Sequence, residues 1–147
     1  MKYSIPSLLA NDGFLCACGK QHYSRLSDFV TGSGILSDAL PAMLTKYNVT
    51  HPFVLCDRDT YAAGGETVCA LLVGIGLSYT LHIIQRTHPS PDERIVGEAV
   101  MHCGKDCDGV IAVGGGVIND TCKILASARR IPAADAPGTA PRPAPIR

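Results

Sequence analysis

The amino-acid sequence predicts an α/β fold in which helices flank a Rossmann-like parallel sheet. Two observations carry this prediction. Short apolar runs alternate along the chain with segments of helical periodicity, and the composition is 46% hydrophobic but only 5% aromatic, which suits a sheet filled by small aliphatic residues. Strands separated by helices imply βαβ units with right-handed crossovers. A chain of 147 residues is expected to build one main core.

The first half of the predicted fold contains two strand–helix pairs. Residues 29–31 are the first predicted strand, and apolar residues recur at helical spacing over residues 35–44. Residues 52–56 are the second strand, and an apolar helix follows it and ends near Gly74. We therefore expect the sheet to begin at residue 29.

The second half continues the alternation. Residues 79–84 are the third predicted strand. Ser90 as N-cap, Pro91 at the first helical position and Glu93 closing a capping box predict the start of the next helix. A fourth strand at residues 109–113 leads into the last helix.

Charge and composition exclude several classes of protein. The 13 basic residues balance the 13 acidic ones, which argues against nucleic acid or an anionic membrane surface as the main partner. Pro6 interrupts any secretory apolar segment, and no apolar stretch approaches the roughly 18 residues of a membrane span. The seven cysteines lack framework spacing and are expected to be reduced. We expect a cytoplasmic protein with no membrane insertion.

Two features that could bind a ligand follow the ends of predicted strands. Gly114, Gly115 and Gly116 connect the strand at residues 109–113 to the last helix, a geometry that lets backbone N–H groups and a helix dipole meet a phosphate. Asp57 follows the strand at residues 52–56, and its carboxylate could accept hydrogen bonds from both hydroxyls of a ribose. Both features should lie at one sheet edge, which predicts dinucleotide binding. NAD is favoured over NADP because a 2′-phosphate would face the charge of Asp57.

An alternative without a ligand explains the same residues. The glycine run could be a turn that packs a helix against a strand, and Asp57 could cap the helix that follows it. The sequence leaves both readings open.

Several motifs follow one another in a characteristic order along the chain. They are Gly32-Ser33-Gly34-Ile35-Leu36, Val54-Leu55-Cys56-Asp57 with Thr60, His88-Pro89-Ser90, and the run from Asp108 to Lys123. This order resembles the N-terminal half of the iron-containing alcohol dehydrogenase and dehydroquinate synthase-like superfamily, over about residues 14–128. Within it, the Ile118-Asn119-Asp120 form and the upstream residues 14–22 most resemble sn-glycerol-1-phosphate dehydrogenases.

The resemblance implies a specific cofactor site and reaction. The sn-glycerol-1-phosphate dehydrogenases reduce dihydroxyacetone phosphate with NAD(P)H, and a divalent metal, usually zinc, polarises the ketone. The resemblance places Asp57 at the adenosine ribose and Lys123 at a family position in the first turns of the last helix, where we assign it no catalytic role. We expect Gly114 to be needed for the turn rather than for contact with the cofactor. The implied contacts at the diphosphate are Gly115, Gly116, Val117, Ile118, Asn119 and Asp120.

The end of the chain departs from the family pattern. The family continues with another strand, a Thr-Ala-Pro-Ser-Met-Asp-like segment and a helical domain that supplies an Asp and two His to the metal. Residues 132–147 are rich in Pro and Ala, and we expect neither a central strand nor a stable helix there. Only Gly138-Thr139-Ala140-Pro141 echoes the expected segment. We hypothesise a shifted reading frame or a truncated gene, with family sequence ending near residues 127–131; a proline-rich tail of a genuine short protein is the alternative.

The chain has no full metal set at the matched positions, so we assign it no catalytic residue and no metal ligand. Zinc is expected only in the full-length family enzyme, together with its small phosphorylated substrate. A sheet ended early exposes an apolar edge, which predicts self-association.

Cysteines and histidines offer a second candidate site. Cys16, Cys18 and His22 could begin a zinc site, with a fourth ligand from Cys103 or Cys107. The structural alternative is a small β-hairpin turning at Gly19-Lys20, with the thiols inward and His22 on its rim. We expect Cys56, Cys69 and Cys122 in the core, and His51, His82 and His88 without a catalytic role.

These features divide the chain into an N-terminal extension with a β-hairpin (1–28), a dinucleotide-binding α/β domain (29–128) and an irregular Pro/Ala-rich tail (129–147). The favoured function is the NAD(P)-binding domain of a metal-dependent polyol-phosphate dehydrogenase, incomplete and inactive alone. A dehydroquinate synthase-like lyase fragment and a non-catalytic nucleotide-binding module are the alternatives.

Overall fold

The computed structural model describes residues 13–22, 26–86 and 89–136. The chain divides into two compact units, Met1–Ile35 and Leu36–Arg147. In the first unit, strands β1 (Phe14–Leu15) and β2 (Gln21–His22) pair antiparallel. The turn between them lies at residues 16–20, where the sequence predicted a hairpin.

The second unit alternates helices and strands. The three-residue helix Arg58–Thr60 passes through a single π-helical turn at Tyr61–Gly65 directly into the helix Glu66–Gly74. In chain order the elements are α1 (Leu36–Lys46), β3 (Pro52–Asp57), α2 (Arg58–Thr60), α3 (Glu66–Gly74), β4 (Thr80–Ile84), α4 (Glu93–His102), β5 (Gly109–Val113), α5 (Gly116–Arg129) and β6 (Ala133–Ala136).

The strands of this unit form one parallel sheet in the order β4-β3-β5-β6. Successive residues of β3 point to opposite faces, so Phe53 and Leu55 pack with α4 and α5 while Val54 and Cys56 pack with α1 and α3. Both faces of the sheet are covered, as is typical of a parallel sheet. The predicted α/β class with a parallel sheet and flanking helices is confirmed.

Two local predictions are wrong. Residues 29–31 form no strand; they lie in the first unit, where Phe29 is 49% and Val30 52% exposed. Asp92, and not Ser90, caps α4, because the Asp92 carboxylate accepts the backbone N–H groups of Arg94 at 3.2 Å and Ile95 at 3.0 Å. The expected capping box with Glu93 is therefore not formed.

The expected irregular tail contains ordered structure at its start. Helix α5 continues to Arg129, Arg130 turns the chain in the left-handed conformation (φ 56°), and Ala133–Ala136 form the edge strand β6. The carbonyl of Pro132 accepts the N–H of Val110 at 2.9 Å. Proline is compatible with this position because it precedes an edge strand and needs no donor of its own there. Residues 137–147 and His88 lie outside the described residues.

Candidate functional site

The two predicted ligand-binding features lie at the same edge of the sheet. β3 and β5 are parallel neighbours, with Leu55 opposite Ala112, so their carboxyl ends emerge side by side. A Cβ built on Gly114 would lie 3.3 Å from Cγ2 of Thr60, in the first turn after β3. The glycine turn therefore packs against the turn that begins with Asp57.

The three glycines of the turn differ in their surroundings. Gly114 has a φ of +158°, and an added Cβ would lie 2.8 Å from Cγ1 and 3.1 Å from Cβ of Ile118. Packing alone requires a glycine there. An added Cβ at Gly115 or Gly116 would have no described heavy atom within 4 Å, and both residues are exposed. The outer face of the turn is thus open.

The N-terminus of α5 opens onto the same face. Gly115 occupies the N-cap position and supplies no side-chain cap, and the first helical bond runs from the Asn119 N–H to the Gly115 carbonyl at 3.1 Å. The N–H groups of the first turn have no intrahelical acceptor, and the helix dipole places partial positive charge there. Such a terminus can accept an anion.

Asp57 is the N-cap of α2, and its two carboxylate oxygens have different surroundings. Oδ1 accepts the Thr60 backbone N–H at 2.8 Å and the Thr60 hydroxyl at 2.9 Å, while the Asp57 N–H donates to the same hydroxyl at 3.0 Å. These contacts form a capping box. Oδ2 accepts no hydrogen bond from the described residues, so the capping alternative accounts for one oxygen of the two.

The remaining predicted contact residues have different exposures. Val117 is half-buried, and the Ile118 side chain is buried beneath Gly114, so Ile118 can offer only backbone groups to the open face. Asp120 is exposed and forms an ion pair with Lys123 at 3.4 Å. The Asn119 amide is half-buried and donates through Nδ2 to the Asp135 carboxylate.

Sequence reasoning missed Asp135. It lies on β6 opposite Ala112 of β5, which places its carboxylate beside the glycine turn. Burial raises the pKa of Asp135, while the hydrogen bond from Asn119 and the charge of Lys123 oppose this rise. No local sequence signal marks this residue, because β6 is defined by its pairing with β5.

A cleft of about 500 Å³ lies beyond the carboxyl end of β4. It is connected to the Asp57 turn by the Arg58 side chain, whose Nε donates to Oε1 of Gln85 at 2.6 Å. Its wall contains the two arginines Arg86 and Arg94 and the carboxylate of Asp92. The lining residues are Gln85, Arg86, Pro89, Ser90, Asp92, Arg94 and Ile95.

The β1–β2 hairpin brings Cys16, Cys18 and His22 together. Their ligand atoms all lie within 4.8 Å of one another, and Cys18 Sγ lies 3.2 Å from His22 Nε2. Cys18 and His22 are exposed and Cys16 is half-buried, so the expectation of inward-facing thiols is wrong for Cys18.

The thiols of the second unit are core residues. Cys56, Cys69 and Cys122 are buried as expected, and burial raises the pKa of Cys56 and of Cys122 to about 12. Cys103 and Cys107 are also buried. The Arg129 guanidinium donates to Cys103 Sγ at 3.2 Å.

Two histidines have carboxylate neighbours. His82 Nε2 lies 2.8 Å from Glu98 Oε1, and its ring stacks on that of His102 with centroids 3.9 Å apart. His51 Nε2 lies 3.0 Å from the Thr80 hydroxyl and 3.5 Å from Asp106 Oδ2. His51 precedes β3, at the opposite end of that strand from Asp57.

Across the described ranges, no helix is both long and apolar enough to span a membrane.

Sequence comparison gives the family context of this site. Glycerol-1-phosphate dehydrogenase [NAD(P)+] of Halalkalibacterium halodurans is 29% identical over 113 residues, which are 74% of this chain and 28% of that protein. The protein of the same name from Geobacillus stearothermophilus is 29% identical over 130 residues, 86% of this chain and 32% of its own length. The chain thus spans about a third or less of these curated relatives.

Solved structures share the fold. Glycerol dehydrogenase from Schizosaccharomyces pombe superposes with a TM-score of 0.58 at 18% identity, covering 69% of this chain and 25% of that one. NADH-dependent butanol dehydrogenase A from Thermotoga maritima gives a TM-score of 0.52 at 18% identity, covering 69% of this chain and 28% of the other.

The family profile described as iron-containing alcohol dehydrogenase matches residues 30–141. The match continues past residues 127–131, so the expectation that family sequence ends there is wrong. It includes both Asp57 and the glycine turn, and it extends through β6. The chain belongs to the iron-containing alcohol dehydrogenase family.

Proposed function

We propose that this chain is the NAD(P)-binding part of a metal-dependent polyol-phosphate dehydrogenase, most similar to sn-glycerol-1-phosphate dehydrogenase. The relatives that carry that name support the proposal. Because the chain matches only 28% and 32% of their lengths, reduction of dihydroxyacetone phosphate is proposed for a protein that also contains the remaining part. We expect this chain alone to be inactive. The dehydrogenase names of the relatives favour this reading over a lyase.

The observation that carries the proposal is the open face of the glycine turn. Gly115 and Gly116 leave space for a ligand, and the first N–H groups of α5 face the same side without a side-chain cap from the described residues. A diphosphate supplies the charge that such a terminus stabilises. The residues therefore fit the phosphate groups of a dinucleotide, whose nicotinamide would supply hydride chemistry when bound.

Asp57 is proposed to hold the adenosine ribose. Its Oδ2 accepts no hydrogen bond from the described residues, and its Oδ1 is fixed by Thr60, so the free oxygen is held in place by the capping box. A fixed carboxylate oxygen can accept hydrogen bonds from ribose hydroxyls without ordering a new side chain. Its charge opposes a 2′-phosphate, so we propose a preference for NAD over NADP.

A titration of the 147-residue chain with NADH, followed by nicotinamide fluorescence, tests the proposal. Gly115→Ala and Gly116→Ala add a methyl group where the structure has room for it, so these variants should fold. We expect each to weaken NADH binding by about tenfold or more, equivalent to roughly 1.4 kcal/mol.

Gly97→Ala is the matched control, because Gly97 is also exposed with open space around an added Cβ but lies within α4. It should leave NADH affinity unchanged. Folded wild-type protein that shows no saturable NADH binding would contradict the proposal and favour a non-catalytic module.

A further inference from the structure

We propose that Cys16, Cys18 and His22 form a zinc site in the β1–β2 hairpin, independent of the dinucleotide site. The register of the hairpin explains why the three residues meet. Phe14 pairs with His22, and the Cys16 N–H donates to the Lys20 carbonyl at 3.0 Å, so Cys16 follows β1 and lies diagonally across the hairpin from His22.

The turn brings Cys18 back toward this pair. The Gly19 N–H donates to the Cys16 carbonyl at 2.9 Å, and Gly19 has a φ of +79°, a conformation that favours glycine. The chain therefore reverses directly after Cys18. The result is three ligand atoms within 4.8 Å of one another, two of them sulfur and one nitrogen.

The distances suit three ligands of tetrahedral zinc, whose fourth position a water molecule would fill. Zinc binds thiolates at about 2.3 Å and imidazole nitrogen at about 2.0–2.1 Å, which places its ligand atoms about 3.5–3.8 Å apart. The separation of 3.2 Å between Cys18 Sγ and His22 Nε2 is slightly shorter than this distance. Each pair among the three ligand atoms is separated by no more than 4.8 Å. Small side-chain rotations would bring all three into the coordination sphere. Two thiolates would neutralise the ion.

Packing in a hydrophobic core does not explain the exposed cysteine of this hairpin. Cysteine is among the most buried residue types, yet Cys18 is exposed. Within residues 13–22 and 26–35, no residue whose burial is described is buried. A two-stranded hairpin is marginal in water, and a bound metal can supply the stability that a small core cannot. Zinc would therefore stabilise this hairpin.

Among the described residues, a second group of ligand-type side chains is a poorer site. His51, Asp106 and Cys107 also have ligand atoms within 4.8 Å. However, Cys107 is only 3% exposed and packs in the core, and His51 Nε2 already lies 3.0 Å from the Thr80 hydroxyl. His51→Ala, in this second group, is therefore the control variant for zinc binding.

The test uses the whole chain, purified without an affinity tag that binds metal and kept in a non-thiol reductant. After equilibration with zinc sulfate and removal of excess ion, elemental analysis should find about one zinc per chain. Cys18→Ser and His22→Ala should each weaken zinc affinity at least 100-fold in competition with a chromophoric chelator. His51→Ala should keep the zinc.

Cobalt substitution gives a second readout on the wild-type protein. Bound Co²⁺ should show a thiolate-to-cobalt charge-transfer band and the intense visible bands of a tetrahedral site. Absence of zinc from the reduced wild-type chain, its retention in both hairpin variants, or its loss in His51→Ala would overturn the proposal. A Cys16–Cys18 disulfide that persists in the reductant would do the same.

Discussion

Substitutions at Asp57 can separate helix capping from ribose binding, because its two carboxylate oxygens have different surroundings. Oδ1 accepts the N–H and hydroxyl of Thr60, whereas Oδ2 accepts no hydrogen bond from the residues that the structure describes. Asn and Ser can replace the capping oxygen, and Ala cannot. Asp57→Ala should therefore lower the free energy of unfolding by about 0.5–2 kcal/mol, and Asp57→Asn should leave it nearly unchanged.

Cofactor affinity should respond differently. A hydrogen bond to a charged group contributes about 1.5–3 kcal/mol, and Asp57→Asn replaces the second acceptor oxygen with an amide that donates. We expect NADH binding to weaken by about 10–100-fold in Asp57→Asn and in Asp57→Ala alike. Removal of the Asp57 charge should also narrow the difference in affinity between NADH and NADPH. The 2′-phosphate of NADPH would no longer face a carboxylate, and the adjacent Arg58 carries a positive charge.

The assay combines urea unfolding, followed by circular dichroism, with fluorescence titrations of NADH and NADPH. Asp59→Asn is the matched control, because it removes an exposed carboxylate from the same helical turn. It should leave NADH affinity unchanged. Asp57→Asn with full stability and unaltered NADH affinity would refute the assignment of Asp57 to the ribose.

Three further predictions concern stability and assembly. Gly114→Ala should destabilise the fold by about 1–3 kcal/mol in urea unfolding, because its Cβ would overlap Ile118; wild-type stability in this variant would refute the packing role. Burial opposes ionisation of Asp108, but hydrogen bonds from the Thr50 hydroxyl and from the N–H groups of His51 and Thr50 outweigh burial and lower its pKa. Because the pKa of Asp108 is lower in the folded than in the unfolded state, its carboxylate stabilises the fold at pH values above the unfolded pKa, and this stabilisation is lost as the pH falls through the folded pKa. The free energy of unfolding of Asp108→Asn should therefore decrease less on acidification than that of the wild type. In the part of the chain that the structure describes, β4 and β6 end the sheet, and an unpaired strand edge favours pairing with a second chain, so we expect self-association; light scattering that finds a monodisperse monomer would contradict this expectation.

The fold class was predictable because β3 and β5 are continuous apolar runs, and the structure buries them on both faces of the sheet. The helical spacing of apolar residues in α1 and α4 encodes which side of each helix packs against the sheet. The first residue of α4 was harder to predict from the sequence. Both Ser90 and Asp92 are good N-caps two residues apart, and the sequence does not specify which one starts the helix; the Asp92 carboxylate meets the N–H groups of Arg94 and Ile95.

Strand β6 could not be derived from local sequence. Ala and Pro have low β propensity, so the composition around Ala133–Ala136 predicted irregular structure. The free edge of β5 supplies the pairing partner, with Val110 opposite Ala133 and Val113 opposite Ala136. Tertiary pairing therefore overrides propensity here. Asp135 was missed for the same reason, since its place beside Asn119 depends on a strand that the sequence does not announce.

The glycine turn is where sequence and structure together give the strongest argument about function. From the sequence, a packing turn and a ligand-binding turn were equally able to explain three consecutive glycines. The structure assigns the packing role to Gly114, because a side chain there would overlap Ile118 and approach Thr60. It gives no packing reason for Gly115 or Gly116, around which an added Cβ would contact no described atom. Glycine is an ordinary N-cap residue, so capping alone can explain Gly115. Inside a helix, however, glycine costs about 0.5–1 kcal/mol relative to alanine, so its use at the open position 116 favours the close approach of a ligand to the backbone.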